Sequence, residues 1–254
     1  MNTFTICRKE IQSYFRSPIA YGVMAFFALI TGYFFYAGVR LFVVQQVRSS
    51  MMGQSVPMNV DEWVVRNVLQ NIAVIGLFVI PMITMRLFAE EKRSGTIELL
   101  VTSPLRDGEI IVGKWLAAVV LYMCMLGLSM LNMAILFAYG KPDWRPMLIG
   151  YLGLLLQGSC LLAIGTFIST WTKNQIVAGT AGFAICLMLW VLEWVSSFES
   201  STTLQVLAYF SVLSHFDTFS RGVLDLKDAM YYVTMIVLGL FLTGRSMESM
   251  RWRA

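Results

Sequence analysis

Six long apolar stretches constrain the fold of this chain more than any other feature of its sequence. Each contains about 20 residues, the length that an α-helix needs to cross a hydrocarbon layer about 30 Å thick. Of the 254 residues, 57% are hydrophobic and only 13% are charged, far fewer charges than a soluble domain carries. The sequence therefore predicts an all-α polytopic membrane protein with six spanning helices, at about residues 19–39, 68–88, 115–139, 147–169, 176–195 and 229–243.

The distribution of basic residues predicts the orientation of these spans. An even number of spans places both termini on one side of the membrane. With the N-terminus inside, the inner segments carry twelve basic residues and the outer segments seven. Because Lys and Arg concentrate in cytoplasmic loops, we expect both termini to be cytoplasmic. The net charge of +4 is explained by this flanking role, and no clustered basic face with stacking aromatics indicates a nucleic-acid partner.

The segment before the first span is amphipathic. Phe4, Cys7 and Ile11 recur at helical spacing, opposite Arg8 and Lys9. This pattern predicts a helix within residues 1–18 that lies in the membrane interface with its apolar face down. The alternative is a plain cytoplasmic leader.

A central segment, residues 86–114, carries ten of the chain's 34 charged residues between two apolar spans. It must therefore leave the membrane and return. Within it, residues 94–102 are predicted to form a short helix that starts at Ser94 or Gly95 and stops before Pro104. A short helix held between two spans suits docking to a soluble partner at the membrane surface.

Two segments are expected on the outer side. Residues 45–67 are interpreted as a loop, and residues 196–228 as one or two short helices that re-enter the outer leaflet. The second interpretation rests on the apolar run at 204–213, which is too short to span a membrane and too apolar for a solvated loop. Glu193, the lone acid within a predicted span, is a candidate for the translocation path, and extension of its side chain to water at the interface is the alternative.

The sequence offers no set of residues for catalysis or metal binding. A phosphate-binding loop is matched only at Gly108, Gly113 and Lys114, and Trp115 stands where a Ser or Thr would hold Mg²⁺. His215 is the only histidine, which excludes a multi-histidine metal site, and we interpret it as structural. We therefore expect no catalytic residue, no metal ligand and no cofactor bound by this chain.

The chain resembles ABC-2-type transporter permeases in the sequence EEKRSGTIELLVTSP at residues 90–104 and in GK at 113–114. Residues 214–225, SHFDTFSRGVLD, resemble the outer segment of the subgroup that includes gliding-motility-associated ABC transporter permeases. With RKE at 8–10 and YFRSP at 14–18, the resemblance extends over nearly the whole chain.

The resemblance implies a single transmembrane domain, residues 1–254, in the bacterial inner membrane. It implies pairing with a second permease, a copy or a paralogue, and with a dimer of ATP-binding subunits that hold ATP and Mg²⁺. An extracytoplasmic accessory subunit and membrane lipids are further expected partners. The short helix would be the coupling helix that docks on the ATPase, with the docking residues Glu90, Glu91, Arg93, Ser94, Gly95, Thr96, Ile97, Glu98, Leu99 and Leu100.

Two functions remain open at this point. The first is ATP-driven export or movement of a substrate, with hydrolysis on the separate subunit. The second is a non-transport scaffold or mechanical transmission unit driven by the same kind of ATPase. The resemblance does not identify a substrate, because family members handle drugs, lipids and polysaccharides.

Overall fold

A computed structural model describes residues 2–52, 59–97, 105–140, 142–195 and 209–251. Within these ranges the chain is helical and contains no strand, and six helices are long and apolar enough to cross a membrane. The predicted all-α membrane fold is therefore confirmed. The helices are α1 Asn2–Arg16, α2 Pro18–Met51, α3 Arg66–Thr84, α4 Ala89–Ser94, α5 Asp107–Tyr139, α6 Trp144–Ser169, α7 Gln175–Val195, α8 Val212–Ser220 and α9 Leu226–Arg251, with a π-helical turn Asp61–Val65 before α3.

Helices α3 and α6 form the centre of the bundle. They bury 72% and 61% of the residues in their most apolar stretches, whereas α2 and α7 bury 11% and 17%. On α6, a side chain at Gly158 would clash with the ring of Tyr122, and one at Gly153 would clash with Phe219. These glycines let α5 and α8 approach α6 closely. The outward faces of α2, α7 and α9 are covered by large apolar side chains, as expected of surfaces that face lipid.

Several helices are longer than the spans predicted from apolar length. The predicted limits agree with α6 and α7, but α2 continues to Met51 and α5 begins at Asp107. The predicted loop at 45–67 is therefore wrong at both ends, since it overlaps the end of α2 and the start of α3. Gln45, Gln46 and Arg48 are polar but favour helices, so a helix can continue past its apolar part.

One end of the bundle, which we name the α4 end, collects α1, α4 and the C-terminal part of α9. Ile6 of α1 packs so closely on α5 that a side chain at Gly113 would overlap it. Ser246 of α9 shares a hydrogen bond of 2.7 Å with Thr170, which follows α6. Helix α1 and the C-terminal part of α9 therefore both lie beside the central segment, at the α4 end of the bundle. Its assignment to the cytoplasmic side remains a prediction.

At the opposite end, named the α8 end, a short helix returns into the bundle. Helix α8 has nine residues and packs on α3, α6, α7 and α9. Its apolar residues Val212, Phe216 and Phe219 are buried by these helices. Residues 196–208, which include half of the apolar run at 204–213, lie outside the described residues. The location of the segment in the outer leaflet remains a prediction.

Candidate functional site

Helix α4 is fixed to the end of α6 by hydrogen bonds to Ser169 and Thr170. After α3 ends, the chain turns, and the N–H groups of Phe88 and Ala89 both donate to Ser169 Oγ, at 3.1 Å and 3.2 Å. Both residues are fully buried. Lys92 Nζ also donates to the carbonyl oxygen of Thr170. The start and the middle of α4 are therefore both hydrogen-bonded to the C-terminal end of α6.

A buried lysine joins α4 to two further helices. Lys114 Nζ of α5 lies 2.8 Å from Glu91 Oε1 of α4 and 3.2 Å from Glu10 Oε1 of α1. It also donates to the carbonyl oxygen of Leu87 at 2.9 Å. The side chain of Lys114 is only 3% exposed. We name Lys114, Glu10 and Glu91 the Lys114 cluster, and it connects α1, α4 and α5 through one ammonium group.

Burial makes the Lys114 cluster sensitive to the loss of any one of its charges. Two carboxylates share one ammonium in a buried place, and removing a partner from such a pair costs about 3–5 kcal/mol. Glu91 Oε2 and the Tyr14 hydroxyl are buried without a hydrogen-bond partner among the described residues. Burial, and then the neighbouring Glu10 carboxylate, raise the pKa of the Tyr14 hydroxyl. Because one ammonium group contacts carboxylates of both α1 and α4, we expect α1, α4 and α5 to move together.

The predicted docking residues divide into two groups. Glu91 points inward to Lys114, whereas Arg93, Ser94, Gly95 and Thr96 are exposed. Glu90 is half-exposed and lies beside Arg86, and Ile97 is half-buried. The structure thus leaves one part of the predicted surface open to a partner and uses another part inside the chain. Glu98, Leu99 and Leu100 lie outside the described residues.

Gly95 provides the turn that ends α4. Its φ of +73° is in the left-handed region, which favours glycine. Ser94 is the last residue of α4 and not the start of the predicted helix, whereas helical residues resume at Thr96, directly after Gly95. The rest of that predicted helix, residues 98–102, lies outside the described residues. Ser94 Oγ donates to the carbonyl oxygen of Glu90 at 3.0 Å, inside α4. Gly95 therefore ends α4 and directly precedes the helical residues Thr96 and Ile97.

Sequence reasoning missed Lys114 and Glu10 as site residues. Lys114 was considered only in the failed phosphate-loop match and in the family resemblance. A signal was present, because Lys114 follows Ile110, Ile111 and Val112 at the start of an apolar helix. A lysine in such a place needs a partner when it is buried. The partner could not be identified locally, since Glu10 lies 104 positions away.

The α8 end carries a second polar group of residues, centred on Asp217. Its carboxylate accepts hydrogen bonds from Arg66 at 2.8 Å, Arg221 at 2.6 Å and Gln70 at 3.1 Å. Burial acts to raise the pKa of Asp217, but the hydrogen bonds from the two arginines hold that pKa below its usual value. We name these four residues the Asp217 cluster. A cavity of about 380 Å³ lies beside it, with Asp61, Glu62, Asp143 and both arginines in its lining.

Glu193, the candidate for the translocation path, lies near the end of α7. Its side chain is outside the part of the chain that the structure describes, so its role remains a prediction.

The comparisons with known proteins agree with the helical architecture. The family described as "ABC-2 family transporter protein" matches residues 4–243. A "Probable multidrug ABC transporter permease YbhR" of Escherichia coli strain K12 is 27% identical over 176 residues, which cover 67% of this chain and 46% of the relative. The protein of the same name from Escherichia coli O157:H7 gives the same values. The chain thus spans about half the length of the curated relatives it matches. Because the family match covers nearly all of its helices, the chain belongs to the ABC-2 family of transporter proteins.

Proposed function

We propose that this chain is the membrane-spanning permease subunit of an ATP-binding cassette transporter. It would couple ATP hydrolysis by a separate ATPase subunit to export or movement of a substrate across the inner membrane. The observation that carries the proposal is the exposed segment 93–96, at the end of α4 and just after it, which is held by the buried Lys114 cluster. Family membership supports the same role.

The contacts of α4 provide a route for the coupling. A displacement of α4 by the ATPase acts on α5 through the pair of Glu91 and Lys114. It acts on α6 through Ser169, whose hydroxyl accepts from Ala89, the first residue of α4, and from Phe88 just before it. Because these contacts join α4 to α5 and α6 without an intermediate residue, force applied at α4 would reach two spanning helices directly. The exposed Arg93 and Thr96 are the part of this unit that the partner would contact.

The partners follow from the same assignment. We propose a dimer of ATPase subunits that bind ATP and Mg²⁺, and a second permease, a copy or a paralogue, in the same membrane. An extracytoplasmic accessory subunit would belong at the α8 end. The subgroup of gliding-motility-associated permeases is proposed from residues 214–225 alone. The similar proteins of Escherichia coli carry a multidrug name, which makes drugs one substrate class to test beside lipids and polysaccharides.

The test uses the permease reconstituted in nanodiscs with its ATPase subunit. We expect Arg93→Glu to weaken binding of the ATPase at least tenfold, about 1.4 kcal/mol, because it reverses an exposed charge at the docking surface. Arg245→Glu is the matched control, since Arg245 is also exposed at the α4 end but lies on α9. Membrane insertion and thermal unfolding should match the unchanged protein in both variants. Equal binding by the two variants would contradict docking at α4.

A further inference from the structure

A polar pocket of about 120 Å³ lies at the α4 end, between α1 and the segment that joins α3 to α4. Arg86 follows the end of α3 by two residues, and Ser17 directly precedes α2. The pocket therefore lies where the apolar stretches of these two spanning helices end. Its polar lining residues are Glu10, Ser13, Tyr14, Ser17, Arg86 and Glu90.

An apolar groove continues from this pocket along the spanning helices. The groove shares Tyr14, Ser17 and Arg86 with the pocket. Its other lining residues are all apolar: Ile19, Ala20, Val23, Met82, Ile83 and Leu121. Four of these six side chains are buried, whereas Ile19 and Met82 are 47% and 44% exposed. The groove thus has a buried floor and an edge that opens on the surface expected to face lipid.

Two donors of the pocket lack a hydrogen-bond partner among the described residues. The Tyr14 hydroxyl is buried and unpaired. The Arg86 guanidinium makes only an ion pair there, in which Nε lies 3.5 Å from Glu90 Oε2. Ser17 Oγ accepts from the N–H of Ile19, so its own hydrogen is available to a ligand. Because a buried donor without a partner is destabilising, a ligand with acceptor oxygens would be bound favourably at this place.

The charges define the ligand further. The pocket and the adjoining Lys114 cluster together contain three carboxylates and two cations, which leaves one negative charge in excess. The side chain of Glu90 is 53% exposed, so this carboxylate can meet a cation that enters from the open side. A complementary ligand therefore carries acceptor oxygens for Tyr14 and Arg86 and a cation for Glu90.

We propose that the pocket and the groove together form a binding site for one ethanolamine phospholipid. The phosphate lies against the Arg86 guanidinium and the Tyr14 hydroxyl, with Ser17 as a further donor. The ammonium group lies beside Glu90, and an acyl chain follows the apolar groove towards Leu121. The polar and apolar parts of the site adjoin each other, as the headgroup and the acyl chains do in a phospholipid.

Other ligands that carry phosphate match only part of the site. Phosphatidylglycerol has the same phosphate and acyl chains, but its headgroup has no cation for Glu90 and adds a further negative charge. Inorganic phosphate can occupy the polar pocket but leaves the apolar groove exposed. The preference for an ethanolamine lipid therefore follows from Glu90, and the preference for a lipid over a free anion follows from the groove.

Binding can be measured on the full-length protein, stripped of lipid in detergent and titrated with phosphatidylethanolamine. Native mass spectrometry counts the bound lipid. We expect one lipid to bind about tenfold more tightly than phosphatidylglycerol with the same acyl chains, because one charge-assisted contact is lost in the second lipid. Inorganic phosphate should not compete. Equal binding of the two phospholipids, or displacement of the lipid by phosphate, would overturn the proposal.

The position of the lipid can be mapped by crosslinking. A phosphatidylethanolamine with a photoactivatable diazirine in its acyl chain should label residues 19–23 of α2 and 82–83 of α3, which line the groove. An excess of unlabelled phosphatidylethanolamine should remove this labelling. Labelling that is confined to other surfaces of the spanning helices would overturn the proposal.

The contribution of the guanidinium is tested by Arg86→Gln. This substitution removes the cation that faces the phosphate, and it should weaken binding of phosphatidylethanolamine by about tenfold. Arg16→Gln is the matched control, because Arg16 is an exposed arginine at the end of α1 that does not line the pocket. Equal affinities of the two variants would overturn the proposal.

Tyr14→Phe separates lipid binding from packing. Without lipid the Tyr14 hydroxyl has no partner, so its removal should not lower the temperature of thermal unfolding. With phosphatidylethanolamine added, the unchanged protein should gain more stability than the variant. Tyr21→Phe is the control, since Tyr21 is an exposed tyrosine of α2 outside the pocket. Equal stabilisation of Tyr14→Phe and the unchanged protein by the lipid would overturn the proposal. No ATPase is present in these measurements, so their outcome is independent of docking at α4.

Discussion

The two ends of the bundle each hold a charged cluster, and the clusters differ in their exposure. In the Lys114 cluster the side chains of Lys114, Glu10 and Glu91 are 3%, 15% and 17% exposed. In the Asp217 cluster the side chains of Arg66, Asp217 and Arg221 are 28%, 33% and 59% exposed. Charges in the first cluster are held away from water, whereas those in the second are screened by it.

This difference indicates different roles for similar chemistry. A buried cluster is strongly destabilised when one of its charges is removed, which suits a fixed junction between helices at the α4 end. An exposed cluster contributes little stability and can rearrange at small cost. The comparison can be tested by removing charge at each end in turn.

The largest effect is expected from Lys114→Met. The substitution leaves the carboxylates of Glu10 and Glu91 buried without their cation, so the free energy of unfolding should fall by about 3–5 kcal/mol. Thermal unfolding in one detergent measures the change. Combining Lys114→Met with Glu10→Gln and Glu91→Gln should restore most of the stability, because no unpaired charge remains. If the triple variant is less stable than the single one, the effect of Lys114 arises from packing rather than charge.

An intermediate effect is expected from Gly95→Val. The left-handed backbone at Gly95 costs a residue with a side chain about 1–2 kcal/mol, and a β-branched residue is among the least tolerant. The strain should displace Thr96 and weaken ATPase binding, while thermal unfolding of the spans stays nearly unchanged. Gly95→Asn is the control, since asparagine tolerates this conformation. Equal ATPase binding by the Val and Asn variants would show that the turn does not shape the docking surface.

The smallest effect is expected from Asp217→Asn. Its partners are partly exposed, so the loss should stay below about 1 kcal/mol and shrink further as salt is added. Because the arginines hold the pKa of Asp217 below that of the unfolded chain, its contribution is present above about pH 4 and is lost as the pH falls further. Unfolding measured across the acid range should show this dependence in the unchanged protein and not in the variant. A loss as large as that of Lys114→Met would remove the distinction between the two ends.

Much of the fold could be predicted because its signals are local. Apolar length located six spans, and the limits of α6 and α7 agree closely with the prediction. The limits of α2 and α5 do not agree with the prediction, because a helix can continue beyond the end of its apolar stretch. Ser94 was misassigned for a similar reason, since a serine before a glycine is compatible with the start of one helix or the end of another.

The candidate site was only partly predictable. The exposed residues of α4 lie within the segment that the sequence identified, but Glu91 faces Lys114 instead of a partner. The local sequence does not determine how a helix is rotated about its axis relative to its neighbours. That rotation is fixed by contacts such as Gly113 against Ile6, whose residues are distant in the chain.

The sequence by itself determined the class of the protein, the number of spanning helices and the amphipathic helix α1, because hydrophobic length and periodicity are properties of each segment alone. The tertiary structure decided which charges meet. Glu10 with Lys114 and His215 with Asp228 each join two different helices, and only the packing of those helices brings them together. A buried charge needs a partner wherever the fold places it, but which residue serves depends on the rotation and depth of every helix in the bundle.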